Sequence, residues 1–139
     1  MEGILNVGES LVVADPAEVE ALAGQIQADC CLAVQVLAQD CHSNAVSKGF
    51  YDNPPSFGDQ IALVHSELSE ALEDFRAGHN PPEVYFEGAK PCGIPIELAD
   101  VVIRVLDMCA DRGIDIGKAL EVKMAYNATR PAMHGGKIL

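Results

Sequence analysis

The sequence predicts an all-α domain built from four helices, and three observations carry that prediction. Hydrophobic residues make up 49% of the 139 residues, yet aromatics reach only 5% and tryptophan is absent. Leu, Val, Ile and Ala must then fill the core, a mixture that suits helix-on-helix packing better than a β-sandwich. Apolar residues recur at helical spacing, and proline and glycine fall between the periodic stretches. The length is that of one domain with a real core.

Residues 1–14 carry short apolar pieces without helical period and are expected to form an N-terminal arm, extended or a short strand. The helical domain is expected over 15–139. Asp15 can cap a first helix, with Pro16 at its first position and Glu18 where a capping-box acid belongs. Gly49 is its expected stop, with a break near His42 to Asn44 as the alternative to one very long helix. Asn53-Pro54-Pro55 forces a turn, because the residue before proline avoids the helical region. Ser56 with Asp59 starts a second helix, which should end before Gly78. Residues 79–93, with three prolines and two glycines, read as a loop. Pro95 opens a third helix and Gly113 closes it; Asp115 caps a fourth, which must end by Pro131. The tail from Met133 is expected to be irregular.

The formal charge is −12, with 21 acids against 9 bases. A nucleic-acid binder needs a basic surface to displace counterions, so no nucleic-acid partner is expected. An acidic excess does fit a metal site. No run approaches the ~18 apolar residues of a membrane span, and the first residues lack the basic start of a signal peptide. No membrane association is expected. Cys30, Cys31, Cys41, Cys92 and Cys109 form neither a Cys-x-x-Cys nor a zinc spacing, and the expected compartment is the reducing cytoplasm.

Chemistry concentrates in two places. The second helix carries Glu67-Leu68-Ser69-Glu70 and the third Glu97-Leu98-Ala99-Asp100. Acids three residues apart on a helix are neighbours and repel unless a cation sits between them. On a helical wheel, Glu97, Asp100, Arg104, Asp107 and Asp111 fall within an arc of about 80°, while apolar residues fill about two-thirds of the circumference. That predicts a third helix buried nearly all round, with its acids partnered by cations or by Arg104. On the second helix, Val64, Leu68, Ala71, Leu72 and Phe75 form the expected apolar stripe, with Glu67 at its edge and Glu70 further out. Two such acid pairs converging make an oxygen-rich site suited to Mg²⁺, with Mn²⁺ as a substitute.

The two acid pairs, 26 residues apart, with the Val101-Val102-Ile103-Arg104 context, resemble the signature of the MazG-like all-α NTP pyrophosphohydrolases. The likeness extends over residues 40–137, and is more distant to the dimeric dUTPases and dCTP pyrophosphatases. The flanking pieces resemble small stand-alone members from phages and mobile gene cassettes more than the two-domain bacterial MazG. The resemblance implies that Glu67, Glu70, Glu97 and Asp100 bind Mg²⁺ and serve catalysis. It also implies attack by a metal-bound water at the α-phosphorus, giving a monophosphate and pyrophosphate. The implied fold is a four-helix bundle completed by oligomerisation, with a tetramer built from dimers. The third helix's wide apolar face points independently to a second copy, a homodimer at least.

For the nucleoside triphosphate, Lys123, Tyr126, Asn127 and Arg130 share one face of the fourth helix, where family members carry a basic and amide set facing the phosphates. Lys137, after Gly135-Gly136, is a further phosphate candidate. Asp40, His42, Asn44, Lys48, Phe50 and Tyr51 are the expected lining of a base or ribose pocket, with a purine (dGTP or GTP) favoured over a pyrimidine (dCTP or dUTP). Two other readings compete. A di-iron bundle needs Glu-x-x-His motifs, which are missing. An acidic helical interaction protein without catalysis explains the charge but not a buried acidic stripe.

Overall fold

In the computed structural model, residues 16–129 are described. The expected arm, the Asp15 cap, Arg130, Lys137 and the tail lie outside them. Within that range the chain is mostly helical, in the order α1 (Pro16–Ser47), α2 (Phe57–Arg76), β1 (Tyr85–Glu87), β2 (Lys90–Cys92), α3 (Ile94–Asp111) and α4 (Ile116–Ala128). None of these helices is long and apolar enough to cross a membrane.

The helix ends follow from local chemistry. At the start of α2 the Ser56 hydroxyl accepts the Asp59 N–H at 3.2 Å, and the Asp59 carboxylate accepts the Ser56 N–H at 3.0 Å. The Ser56 hydroxyl also donates to the Asp59 carboxylate at 2.7 Å, and that bond, with the one from the Ser56 N–H, holds the Asp59 carboxyl below its usual range. Asp115 caps α4 by accepting the Lys118 N–H at 2.9 Å. Helices α1, α2 and α3 share one stop: Gly49, Gly78 and Gly113 each adopt a positive φ just past the last turn. Each glycine and its successor then donate back to the helix, as Gly49 to Val46 and Phe50 to Ala45 do. A residue with a Cβ resists that left-handed conformation, which is why glycine marks the position. Helix α1 runs unbroken through His42 and Asn44 for 32 residues.

The expected loop at 79–93 proves to be partly ordered. It contains an antiparallel hairpin pairing Tyr85 with Cys92, Phe86 with Pro91 and Glu87 with Lys90. Gly88, at φ 64°, opens its two-residue turn with Ala89. The hairpin is pinned beside α2: the Tyr85 ring stacks on His79 at 4.4 Å and its hydroxyl donates to Asp74 at 3.3 Å. Pro91 obscured the strand in the sequence, since proline removes a ladder donor; a two-stranded ribbon has free edges that tolerate it.

Helix α3 is central. It packs against α2 on one side and α1 on another, while α4 packs on the far flank of α1. Ile94, Leu106, Met108 and Cys109 of α3 are buried with Ala38 and Ala71, but among the described residues no large side chain is fully enclosed. The expectation that α3 is buried nearly all round does not hold within one chain: Leu98, Val102 and Ile103 remain 45–52% exposed. A helical wheel gives the width of an apolar face but not which part a chain's own neighbours cover. On α2 the expected apolar stripe is buried only in part. Ala71 is buried and Val64 half-buried, but Leu68, Leu72 and Phe75 face outwards, and the polar Gln60 and Glu67 are buried in their place.

Helices α1 and α4 meet closely at Gly117, where a Cβ would overlap the Cys31 carbonyl. Gly117→Ala should therefore force the two helices apart and cost about 1–3 kcal/mol, read as a lowered denaturation midpoint in urea.

Candidate metal centre and adjoining pocket

Packing α2 against α3 brings three carboxylates together. Oxygens of Glu67, Glu70 and Glu97 all lie within 4.8 Å of one another. Their positions follow from helical phase. Glu67 lies on the α2 face that meets α3, Glu70 one turn on and exposed, and Glu97 in the first turn of α3. Glu67 is 6% exposed and Glu97 8%.

The two buried acids are treated differently. Arg104, two turns along α3 from Glu97, donates its Nε to Glu67 Oε1 at 2.8 Å. The Glu97 carboxylate receives no hydrogen bond or ion pair from any described residue. Burial pushes its pKa up, and the charges of Glu70, Asp100 and Glu67 push it further, with Lys90 opposing weakly. A buried, unpaired carboxylate is costly, and a cation among the three acids removes the cost. The donor set is all oxygen, the chemistry of a hard divalent ion such as Mg²⁺ or Mn²⁺ rather than of zinc or copper. The residues fit such an ion.

Asp100 lies outside the three-acid group. It is half-buried one turn beyond Glu97 and, with Arg104, forms the edge of a neighbouring pocket of about 280 Å³. Phe50, Tyr51, Leu63 and Ile103 supply its apolar walls; Asn44 and Asp107 add polar groups. The cavity thus opens from the acids towards the end of α1.

The remaining acids of α3, Asp107 in the pocket wall and Asp111 one turn on, are held by protein donors. Asp107 accepts hydrogen bonds from His42 Nδ1 and from the Tyr51 hydroxyl, each at 2.8 Å. The His42 and Tyr51 rings meet edge to face at 4.7 Å. Burial, then the Asp107 hydrogen bond and charge, push the Tyr51 hydroxyl up to about 12, so it stays a donor at any working pH. Buried Gln60 donates to Asp111 at 2.8 Å and accepts from Arg112 at 2.8 Å, and Arg112 also donates to the Pro55 carbonyl. This network ties the α1–α2 connection to the C-terminal half of α3.

The acidic stripe of α3 therefore divides by partner. Asp107 and Asp111 receive protein donors and hold the fold; Glu97 and Asp100 receive none from the described residues, and Glu97 forms the cluster with Glu67 and Glu70. Of the other expected residues, Asn44, Phe50 and Tyr51 do line the pocket, and His42 stands behind it. Asp40 and Lys48 are exposed outside it. Lys123, Tyr126 and Asn127 lie on exposed positions of α4, away from the pocket lining and the acid cluster, with Lys123 Nζ 5.2 Å from the Tyr126 ring centre. Gln60, Arg112 and Cys41 were not anticipated. A polar residue on the α2 face shared with Glu67 was the available signal for Gln60; nothing local marked the other two.

Two measurements separate the two halves of the stripe. Gln60→Ala should cost about 1–3 kcal/mol in urea denaturation while leaving divalent-ion affinity unchanged, since it removes the buried Gln60 bonds to Asp111 and Arg112, which keep their own ion pair at 3.1 Å, and does not touch the cluster. Glu97 acts in the opposite sense. Its pKa is raised on folding, so the metal-free fold binds that proton more tightly than the unfolded chain. Stability then falls as pH rises from the ordinary value of 4.5 through the raised one. In EDTA, Glu97→Gln should remove that loss and raise the neutral-pH Tm by roughly 2–6 °C. A Tm-against-pH series in EDTA reads it.

Compared with protein-family models, with curated proteins and with solved structures, the chain finds no match in any of the three, so its functional reading rests on the chemistry of this site.

Proposed function

We propose that the protein is a Mg²⁺-dependent nucleoside triphosphate pyrophosphohydrolase, cutting its substrate to a monophosphate and pyrophosphate. One observation carries the reading: a cluster of three carboxylates, two of them over nine-tenths buried and one without a partner among the described residues, lies beside a pocket of about 280 Å³ lined by aromatic, apolar and amide side chains. The order of the acids, Glu67-x-x-Glu70 then Glu97-x-x-Asp100, resembles the MazG-like pattern and supports the same reading.

The division of labour follows from position. Glu67, Glu70 and Glu97 hold the cation, with Asp100 joining from the pocket edge. A divalent ion supplies charge neutralisation for the phosphates and a lowered pKa for a water. Phe50 and Tyr51 offer ring faces to a base, and the Asn44 amide offers a donor and an acceptor to its edge. The pocket takes base and sugar, leaving the triphosphate to run towards the acids; a purine (dGTP or GTP) is the first candidate.

The working form on this reading is a homodimer or a tetramer of dimers. Leu68, Leu72 and Phe75 of α2 and Leu98 and Val102 of α3 present apolar surface that one chain leaves open. A second copy covering it would also let α4 of one subunit bring Lys123, Tyr126 and Asn127 to the phosphates held by another, since in its own chain α4 packs on α1.

An assay of pyrophosphate release on the eight common NTPs and dNTPs tests the reaction. Wild type with Mg²⁺ should yield pyrophosphate and monophosphate, EDTA should abolish it, and Glu97→Ala should lower it by more than about a hundredfold. Orthophosphate as product would move the cleavage site, and silence on every nucleotide would favour a non-catalytic acidic interaction protein.

A further inference from the structure

Arg104 stands between two environments. Its Nε donates to Glu67 Oε1 at 2.8 Å, and its side chain also lines the pocket beside Asp100. The contact is single-point: neither Nη group donates a hydrogen bond to a described residue, although a guanidinium on a carboxylate commonly uses two parallel bonds. The exposure is unequal. The Glu67 side chain is 8% exposed and that of Arg104 33%, so the acid is the fixed partner and the arginine has room to turn. Among the described residues no other cationic side chain bonds to the three acids; Lys90 acts on Glu97 through its charge alone.

A divalent ion in this cluster draws on the same Glu67 carboxylate that holds Arg104. Two cations on one buried carboxylate repel each other strongly where water is scarce. The pocket next door is where an anionic substrate arrives, and two unused Nη donors in fork geometry match a phosphate group. We propose that Arg104 is an exchangeable counter-ion: it holds Glu67 while the cluster is free of metal, and turns into the pocket to bind a substrate phosphate oxygen once a divalent ion takes Glu67. The inference rests on the metal reading of the cluster. It makes metal binding and phosphate binding cooperative, because the ion frees the donor that the phosphate needs.

Mn²⁺ titration of the nucleotide-free protein, followed calorimetrically, separates the outcomes. Arg104→Gln removes the competitor, so it should bind Mn²⁺ about tenfold more tightly than wild type, while a triphosphate analogue with a non-hydrolysable α,β linkage binds more weakly. Equal or weaker Mn²⁺ binding by the variant would make Arg104 a fixed support for Glu67 and overturn the proposal. Should the variant fail to fold without metal, the wild type still decides. Its Arg104 Nε–H resonance should shift on saturation with Mg²⁺, and an unmoved resonance refutes the exchange. If wild type binds no Mn²⁺ at all, the metal reading itself fails.

Discussion

Two carboxylates, Glu67 and Glu97, are taken out of water between α2 and α3, with Glu70 beside them and, among the described residues, a single guanidinium in hydrogen-bond contact. Desolvating like charges at this spacing opposes folding, and Arg104 can neutralise only one of them. Much of the remaining architecture supports that placement. The Ser56–Asp59 capping box fixes where α2 begins, and hence the phase that turns Glu67 inwards. Gly93 and Pro95 start α3 so that Glu97 falls in its first turn, where the helix dipole favours a negative charge. The hairpin leads directly into that start and is itself anchored to α2 through Asp74.

The polar network at the other end of α3 shows what a structural acid looks like in the same helix. Asp107 and Asp111 each receive protein donors, and the groups that supply them, His42, Tyr51 and Gln60, belong to the segments that close the pocket. Rigid packing and satisfied hydrogen bonds at one end leave the unsatisfied charge concentrated at the other. On the proposed metal reading this arrangement favours binding, because the acids are already close together and an ion would require little reorganisation.

The apolar surface tells a parallel story about cover. Leucines of α2 that read as core from their periodicity face outwards, while Ala71 of the same stripe is buried together with a glutamine and a glutamate. Leucines exposed beside buried polar groups are the surface that the proposed oligomer would cover. On that same proposal α4, which packs on α1 within its own chain, would act at the site of another subunit.

The sequence by itself determined the helical class, the stops at Gly49, Gly78 and Gly113, the caps at Ser56 and Asp115, and the pairing of acids on two helices. These are local matters: backbone sterics and short-range hydrogen bonds act within four or five residues and leave a mark in the order of residue types. Tertiary structure decided which acids lack partners. Glu97 and Asp107 share one stripe on a wheel, and only the approach of Tyr51 and His42 to one of them makes it structural. It likewise decided that Arg104 meets Glu67, 37 residues away, that a hairpin forms despite Pro91, and that Gln60 is a buried hub. Those outcomes depend on how helices are set against one another, which no short stretch of sequence encodes.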